Sequence, residues 1–245
     1  MPFSVWIPEG CLDYALASVL KEVSAQKGLR IEVRLPAGGS GPGGWRGAVQ
    51  HSLRLLSGDD NLDVRSVLVF LDADSSACHK ISWVAEEIGR RLGLGSVNPR
   101  LLSSPGGKAL GVLFDSLGGD RRLGLVFWCD PSMGTSEGNC NCNGKVEDVL
   151  MGVLGELYGC RRHSRCYSIK CDRCPSGSSM GRFATVYDKL VGPLGVIACS
   201  GSGTLVLAGR DEARCGFDVL GALQRMGVSK SSLTKEYANV VSHLV

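Results

Sequence analysis

The run Val67-Leu68-Val69-Phe70-Leu71 is apolar without a break and stops on Asp72-Ala73-Asp74. A strand with no polar face must be covered on both sides, which is the situation of an interior strand in a parallel sheet with helices above and below. The rest of the first 158 residues is consistent with that demand. Residues 3–7 form a short apolar run closed by Pro8-Glu9-Gly10. Leu12, Ala15, Leu16, Val19, Leu20 and Val23 then recur at helical spacing, with Gly28 as the expected terminator. Residues 29–35 alternate apolar and charged as a second strand, and 36–47 read as a glycine-rich loop. Helices are predicted over 48–56, 81–92 and 146–158, and strands over 110–114 and 123–129. This alternation predicts an α/β domain, a mainly parallel sheet flanked by helices, over residues 1–158. Residues 159–182, rich in Cys, Ser and basic side chains, read as an insertion. Residues 183–245 read as a C-terminal α/β extension of the same domain. It is expected to hold helices at 185–191 and 217–226, an apolar segment at 195–208 and a last helix from Ser231.

Composition narrows the classes open to such a chain. With 245 residues, 44% of them hydrophobic, it can bury a core and is not a disordered sequence. A net charge of +3, from 27 basic and 24 acidic residues, allows a nucleic-acid partner without requiring one. No apolar stretch approaches the roughly 20 residues a bilayer demands, and the N-terminus lacks the pattern of a secretory signal. The expectation is a cytoplasmic protein without a membrane partner.

The acidic residues fall where an open parallel sheet binds ligands, at the carboxyl ends of strands. Glu9 follows the first strand, and Asp13 lies one helical turn beyond it. Asp72 and Asp74 follow the third, and two residues apart in an extended segment they would project to one side. Converging carboxylates raise each other's pKa unless a cation neutralises them. Their hard oxygens suit Mg²⁺ or Mn²⁺, the ions of phosphodiester chemistry. Taken singly, each pair is also ordinary: Glu-Gly makes a turn, and Asp-x-Asp makes a solvated strand end or a helix cap.

Ile7-Pro8-Glu9-Gly10-Cys11-Leu12-Asp13 together with Val69-Phe70-Leu71-Asp72-Ala73-Asp74 resembles the two motifs of the Toprim domain. The Glu-Gly-x-x-Asp form is closest to the Toprim part of the overcoming-lysogenization-defect nucleases and their single-domain relatives. The resemblance covers about residues 3–155. It implies that Glu9, Asp13, Asp72 and Asp74 are metal ligands or acid–base groups in divalent-metal-dependent phosphodiester chemistry on DNA or RNA. A further stretch, 124–131 followed by Gly144-Lys145-Val146-Glu147-Asp148, resembles a strand-loop-helix segment of those relatives. By that match Glu147, and less so Asp148, would serve a second metal, although acids also belong in the first turn of any helix. The nucleases use a later lysine near the scissile phosphate. Lys189 is its candidate here, a surface lysine being the plainer reading. A non-catalytic Toprim-fold protein that binds nucleic acid or acts as a scaffold is the alternative.

Eleven cysteines are the second informative feature. Cys160, Cys166, Cys171 and Cys174 have the composition of a structural Zn²⁺ site, Cys171-Asp172-Arg173-Cys174 being the chelating knuckle and His163 a substitute ligand. Disulfides or free thiols are the other readings of the same cluster. Cys140-Asn141-Cys142 is too tight for a two-thiolate chelate and reads only as part of a loop. Arg46 with Trp45 is a candidate nucleic-acid contact, set against a plain surface loop.

Overall fold

The computed structural model describes residues 3–24, 30–34, 44–57, 64–134, 138–158, 160–162, 168–171, 196–199, 204–208, 220–221, 223–224 and 226–245. Its centre is a six-stranded sheet in the order β2-β1-β3-β6-β5-β4. The strands are β1 (Phe3–Pro8), β2 (Arg30–Val33), β3 (Val64–Asp72), β4 (Arg100–Ser103), β5 (Leu110–Phe114) and β6 (Arg122–Trp128). Strand β1 pairs in parallel with β2 and β3, and β3 in parallel with β6. β5 runs antiparallel to β6, and β4 antiparallel to β5. The helices are α1 (Cys11–Val23), α2 (Gly44–Ser57), α3 (Ala77–Leu92), α4 (Val146–Tyr158) and α5 (Ser232–Leu244).

The uninterrupted apolar run does lie inside. Val67 to Leu71 are all fully buried, and successive residues feed opposite faces. Leu68 and Phe70 join Trp6, Val126 and Trp128 under α1, α4 and α5. Val67, Val69 and Leu71 join Val5, Ile7, Leu125 and Phe127 under α2 and α3. Each such side chain contributes roughly 1.5–3 kcal/mol by leaving water, so period two along the strands builds both cores. α5 lies close on the sheet because Gly111 leaves room for it. A Cβ there would stand 2.4 Å from Val240 Cγ1.

Three expectations are corrected, and one strand was unanticipated. α1 ends at Val23 with Ser24 as its cap, before Gly28, because the Ser24 amide and hydroxyl both donate to the Leu20 carbonyl and close the last turn. α2 starts at Gly44, so Trp45, Arg46 and Gly47 are helical and not loop. The short edge strand β4 had no signal of its own. It exists because β5 offers it a hydrogen-bonding edge. Cys140 and Cys142 are more than loop: among the described residues, Cys78 bonds to Cys140 and Cys129 to Cys142.

In the segment expected to be an insertion, β7 (Cys160–Arg162) and β8 (Ser168–Cys171) are antiparallel strands. They join β9 (Val196–Cys199) and β10 (Thr204–Ala208) in a four-stranded sheet, order β7-β8-β10-β9. The expected helix at 185–191 and the candidates His163, Cys166, Cys174 and Lys189 lie outside the described residues. No helix among the described residues is long and apolar enough to cross a membrane.

Candidate functional site

From β1 the chain steps to β2 on one side, and from β2 it crosses back to β3 on the other. The carboxyl ends of β1 and β3 therefore flank a topological switch point, the crevice in which open α/β sheets bind ligands. Glu9 follows β1 and Asp72 ends β3, and the two are turned toward each other. Glu9 Oε2 accepts the Asp72 backbone N–H at 3.3 Å. Glu9 also accepts the backbone N–H of Trp45, at the start of α2. Asp72 Oδ1 accepts the Val146 N–H at 2.8 Å, the first residue of α4. Both carboxylates are thus held by otherwise unsatisfied donors at helix starts.

Asp13, in the first turn of α1, is 6% exposed and accepts the Trp128 indole N–H through Oδ1 at 2.5 Å. Beneath it runs an aromatic row from β1 through β3 and β6 to α5. Trp6 meets Phe70 at 5.4 Å, Phe70 stacks on Trp128 at 5.5 Å, and Trp128 meets Tyr237 at 5.1 Å. Tyr237 accepts the Cys129 N–H and donates to the Phe127 carbonyl, which fixes the end of β6.

The carboxylates work against one another. Burial, then the charges of Asp72, Glu9 and Glu147, raise the Asp13 pKa well above its usual value. Burial raises Asp72 to about 7 against the amide of Val146, with Glu9, Glu147 and Asp74 adding to the rise. Glu9 is also raised by burial, and Lys80 opposes this most. Glu147 lies on the same side, and its Oε2 is buried with no hydrogen-bond partner. Asp148, beside it, turns back to accept the Lys145 N–H at 2.9 Å and caps α4.

Asp74 departs from the extended path that would have set it beside Asp72. Its φ is 51°, and its backbone exchanges two hydrogen bonds with Gly144. Gly144 must be glycine, since φ is 128° and a Cβ would stand 2.3 Å from the Asp130 nitrogen. Asp74 Oδ2 meets Lys80 Nζ at 2.6 Å, and its Oδ1 lies 3.7 Å from Lys145 Nζ. The structure therefore brings Glu9, Asp13, Asp72 and Glu147 together, gives Asp74 to lysines and leaves Asp148 as a cap.

Sequence reasoning missed Lys80, Trp128 and the cysteine pairs. Lys80 carried a faint signal, a cation six residues after Asp74 on the mostly apolar buried face of α3. The loop that delivers Gly144 and Val146 is tied by the disulfides to the first turn of α3 and to the end of β6. Arg46 stands over the Trp45 and Trp83 rings, which meet edge to face at 5.0 Å beside Lys80.

A cluster of hard, mutually repelling oxygens with one orphaned buried atom suits a divalent cation chemically. As they stand, no three His, Cys, Asp or Glu side chains among the described residues close on one point as a finished chelate. No protein-family model matches the chain, and neither the curated proteins nor the solved structures include one similar to it.

Proposed function

We propose that this protein performs divalent-metal-dependent phosphodiester chemistry on DNA or RNA, as a Toprim-like nuclease. The observation that carries the reading is the gathering of Glu9, Asp72 and Glu147 at the switch point, with Glu147 Oε2 buried and unpartnered. Glu9, Asp72 and Glu147 would hold Mg²⁺ or Mn²⁺, and that ion supplies water activation and charge for the leaving oxygen. The chain's own contribution is placement. The starts of α2 and α4 orient Glu9 and Asp72 through backbone N–H groups. Asp13, anchored on Trp128, backs the pair from the core side. Because Asp72 holds its proton to about pH 7 in the ion-free protein, cation binding there releases a proton. The Arg46 and Trp45 surface beside Glu9 supports a nucleic-acid substrate, since a guanidinium on an aromatic face can meet phosphate and base together.

The test is Mn²⁺-dependent cleavage of plasmid and of single-stranded substrates, compared with Asp72→Ala. Cleavage that disappears in the variant supports the site, and cleavage that persists overturns it. The second reading, a non-catalytic nucleic-acid-binding or scaffold protein, rests on the lack of a finished chelate among the described residues. Binding without cleavage in both proteins would favour it. For structural Zn²⁺, Cys160 and Cys171 stand opposite each other across β7 and β8. Metal analysis of the purified protein and of Cys171→Ser tests that part.

A further inference from the structure

Lys80 is the fourth residue of α3 and is only 4% exposed. A buried ammonium in the first turn of a helix is disfavoured twice: by desolvation, and by the positive end of the helix dipole. Three groups offset this. Lys80 Nζ donates to the Asp72 carbonyl oxygen at 2.6 Å and to Asp74 Oδ2 at 2.6 Å, and it lies 5.3 Å from the centre of the Trp45 ring. These partners come from the end of β3, the turn after it and the start of α2, so the ammonium sits where the walls of the crevice meet. It is the only buried Lys or Arg among the described residues. Of the acidic side chains, Asp74 bonds it directly, and its charge also acts on Glu9.

We propose that Lys80 is the fixed cation of this site, standing where a second divalent ion would otherwise be needed. The crevice then takes a single Mg²⁺ or Mn²⁺ against Glu9, Asp72 and Glu147, and Asp74 is a tether for Lys80 and not a ligand. The inference rests on the metal-dependent reading above and specifies it. Its physical basis is charge. An ammonium bonded to both the Asp72 backbone and the Asp74 side chain repels a second cation from the Asp74 side. Glu147 Oε2, buried without a hydrogen-bond partner, is left for the divalent ion. Lys80 is then a positioning residue, acting through the charge and placement of Asp72 and Asp74.

Mn²⁺ binding, measured by calorimetry and by electron paramagnetic resonance on the full chain, reads this without reference to activity. The expected result is one ion per chain for the wild type and for Lys80→Arg. Lys80→Met should bind two ions, or bind Mn²⁺ at least tenfold more tightly. Asp74→Asn, at an exposed position whose left-handed backbone suits Asn, should bind within about twofold of wild type. Asp72→Asn should lose at least tenfold. Two ions on the wild type, or a loss in Asp74→Asn equal to that in Asp72→Asn, overturns the proposal and leaves the metal site intact. No Mn²⁺ on the wild type or on any variant removes the metal reading and this one with it. If Lys80→Met does not fold, the comparison of Asp74→Asn with Asp72→Asn decides.

Discussion

Trp128 and Asp13, 115 residues apart, are joined by an indole N–H that donates to a carboxylate oxygen on the core side of the acidic crevice. The bond links the end of β6 to the first turn of α1 and gives the most buried carboxylate of the site a fixed orientation. Trp128→Phe keeps the ring between Phe70 and Tyr237 but leaves Asp13 Oδ1 without that donor. A buried polar group stripped of its partner costs about 1–3 kcal/mol. Urea unfolding should show a loss in that range, and Asp13→Leu in the Trp128→Phe background should cost less than Asp13→Leu alone.

Asp72 predicts the pH dependence of stability. Its folded pKa of about 7 lies above the ordinary value of 3.8, so between those limits the folded state binds more protons than the unfolded state. Stability contributed at Asp72 is therefore present at low pH, falls as pH rises from about 4 to 7, and is level above that. In metal-free buffer the melting temperature should be lower at pH 8 than at pH 5.5, apart from general acid effects. Asp72→Asn should flatten the slope, and millimolar Mn²⁺ should restore stability at pH 8 in the wild type. A melting temperature that rises from pH 5.5 to 8 in the wild type would contradict the crowding of carboxylates.

The two disulfides among the described residues close loops of 62 and 13 residues. On chain-entropy grounds each is worth about 3–4 kcal/mol against the unfolded state. Cys129 and Cys142 are 2% and 3% exposed, whereas Cys78 and Cys140 are half-buried. Mild reductant should open Cys78–Cys140 first, seen as two new thiols in the folded protein, with Cys129–Cys142 yielding only on unfolding. Because both bridges hold the loop ahead of α4, full reduction should also weaken Mn²⁺ binding.

Glu147 and Asp148 are adjacent acids with different work. Asp148→Ala removes a cap and should cost about 1 kcal/mol of stability, with Mn²⁺ affinity unchanged. Glu147→Gln should leave stability equal or higher, since it replaces a repelled carboxylate, but lower Mn²⁺ affinity at least tenfold. Paired melting and titration experiments distinguish the two, and equal behaviour of the two variants would count against a ligand role for Glu147.

The local patterns in the sequence were enough to establish the strands and helices of the first 158 residues apart from β4, and the strand-end position of Glu9 and Asp72. Burial on both faces forces an unbroken apolar run, and amphipathic helices repeat every three to four residues. Phe3–Pro8, Val64–Asp72 and Val146–Tyr158 all follow from such rules. What the sequence could not supply depends on neighbours far along the chain. Asp74 looks like a partner of Asp72 until Gly144 pairs with its backbone and Lys80 takes its carboxylate. Cys140 and Cys142 look like loop residues until α3 and β6 bring Cys78 and Cys129 to them. Residue type and spacing decide what a segment is. Only the packed sheet decides which distant charges, donors and thiols share a place, because that sharing comes from strand order and not from local preference.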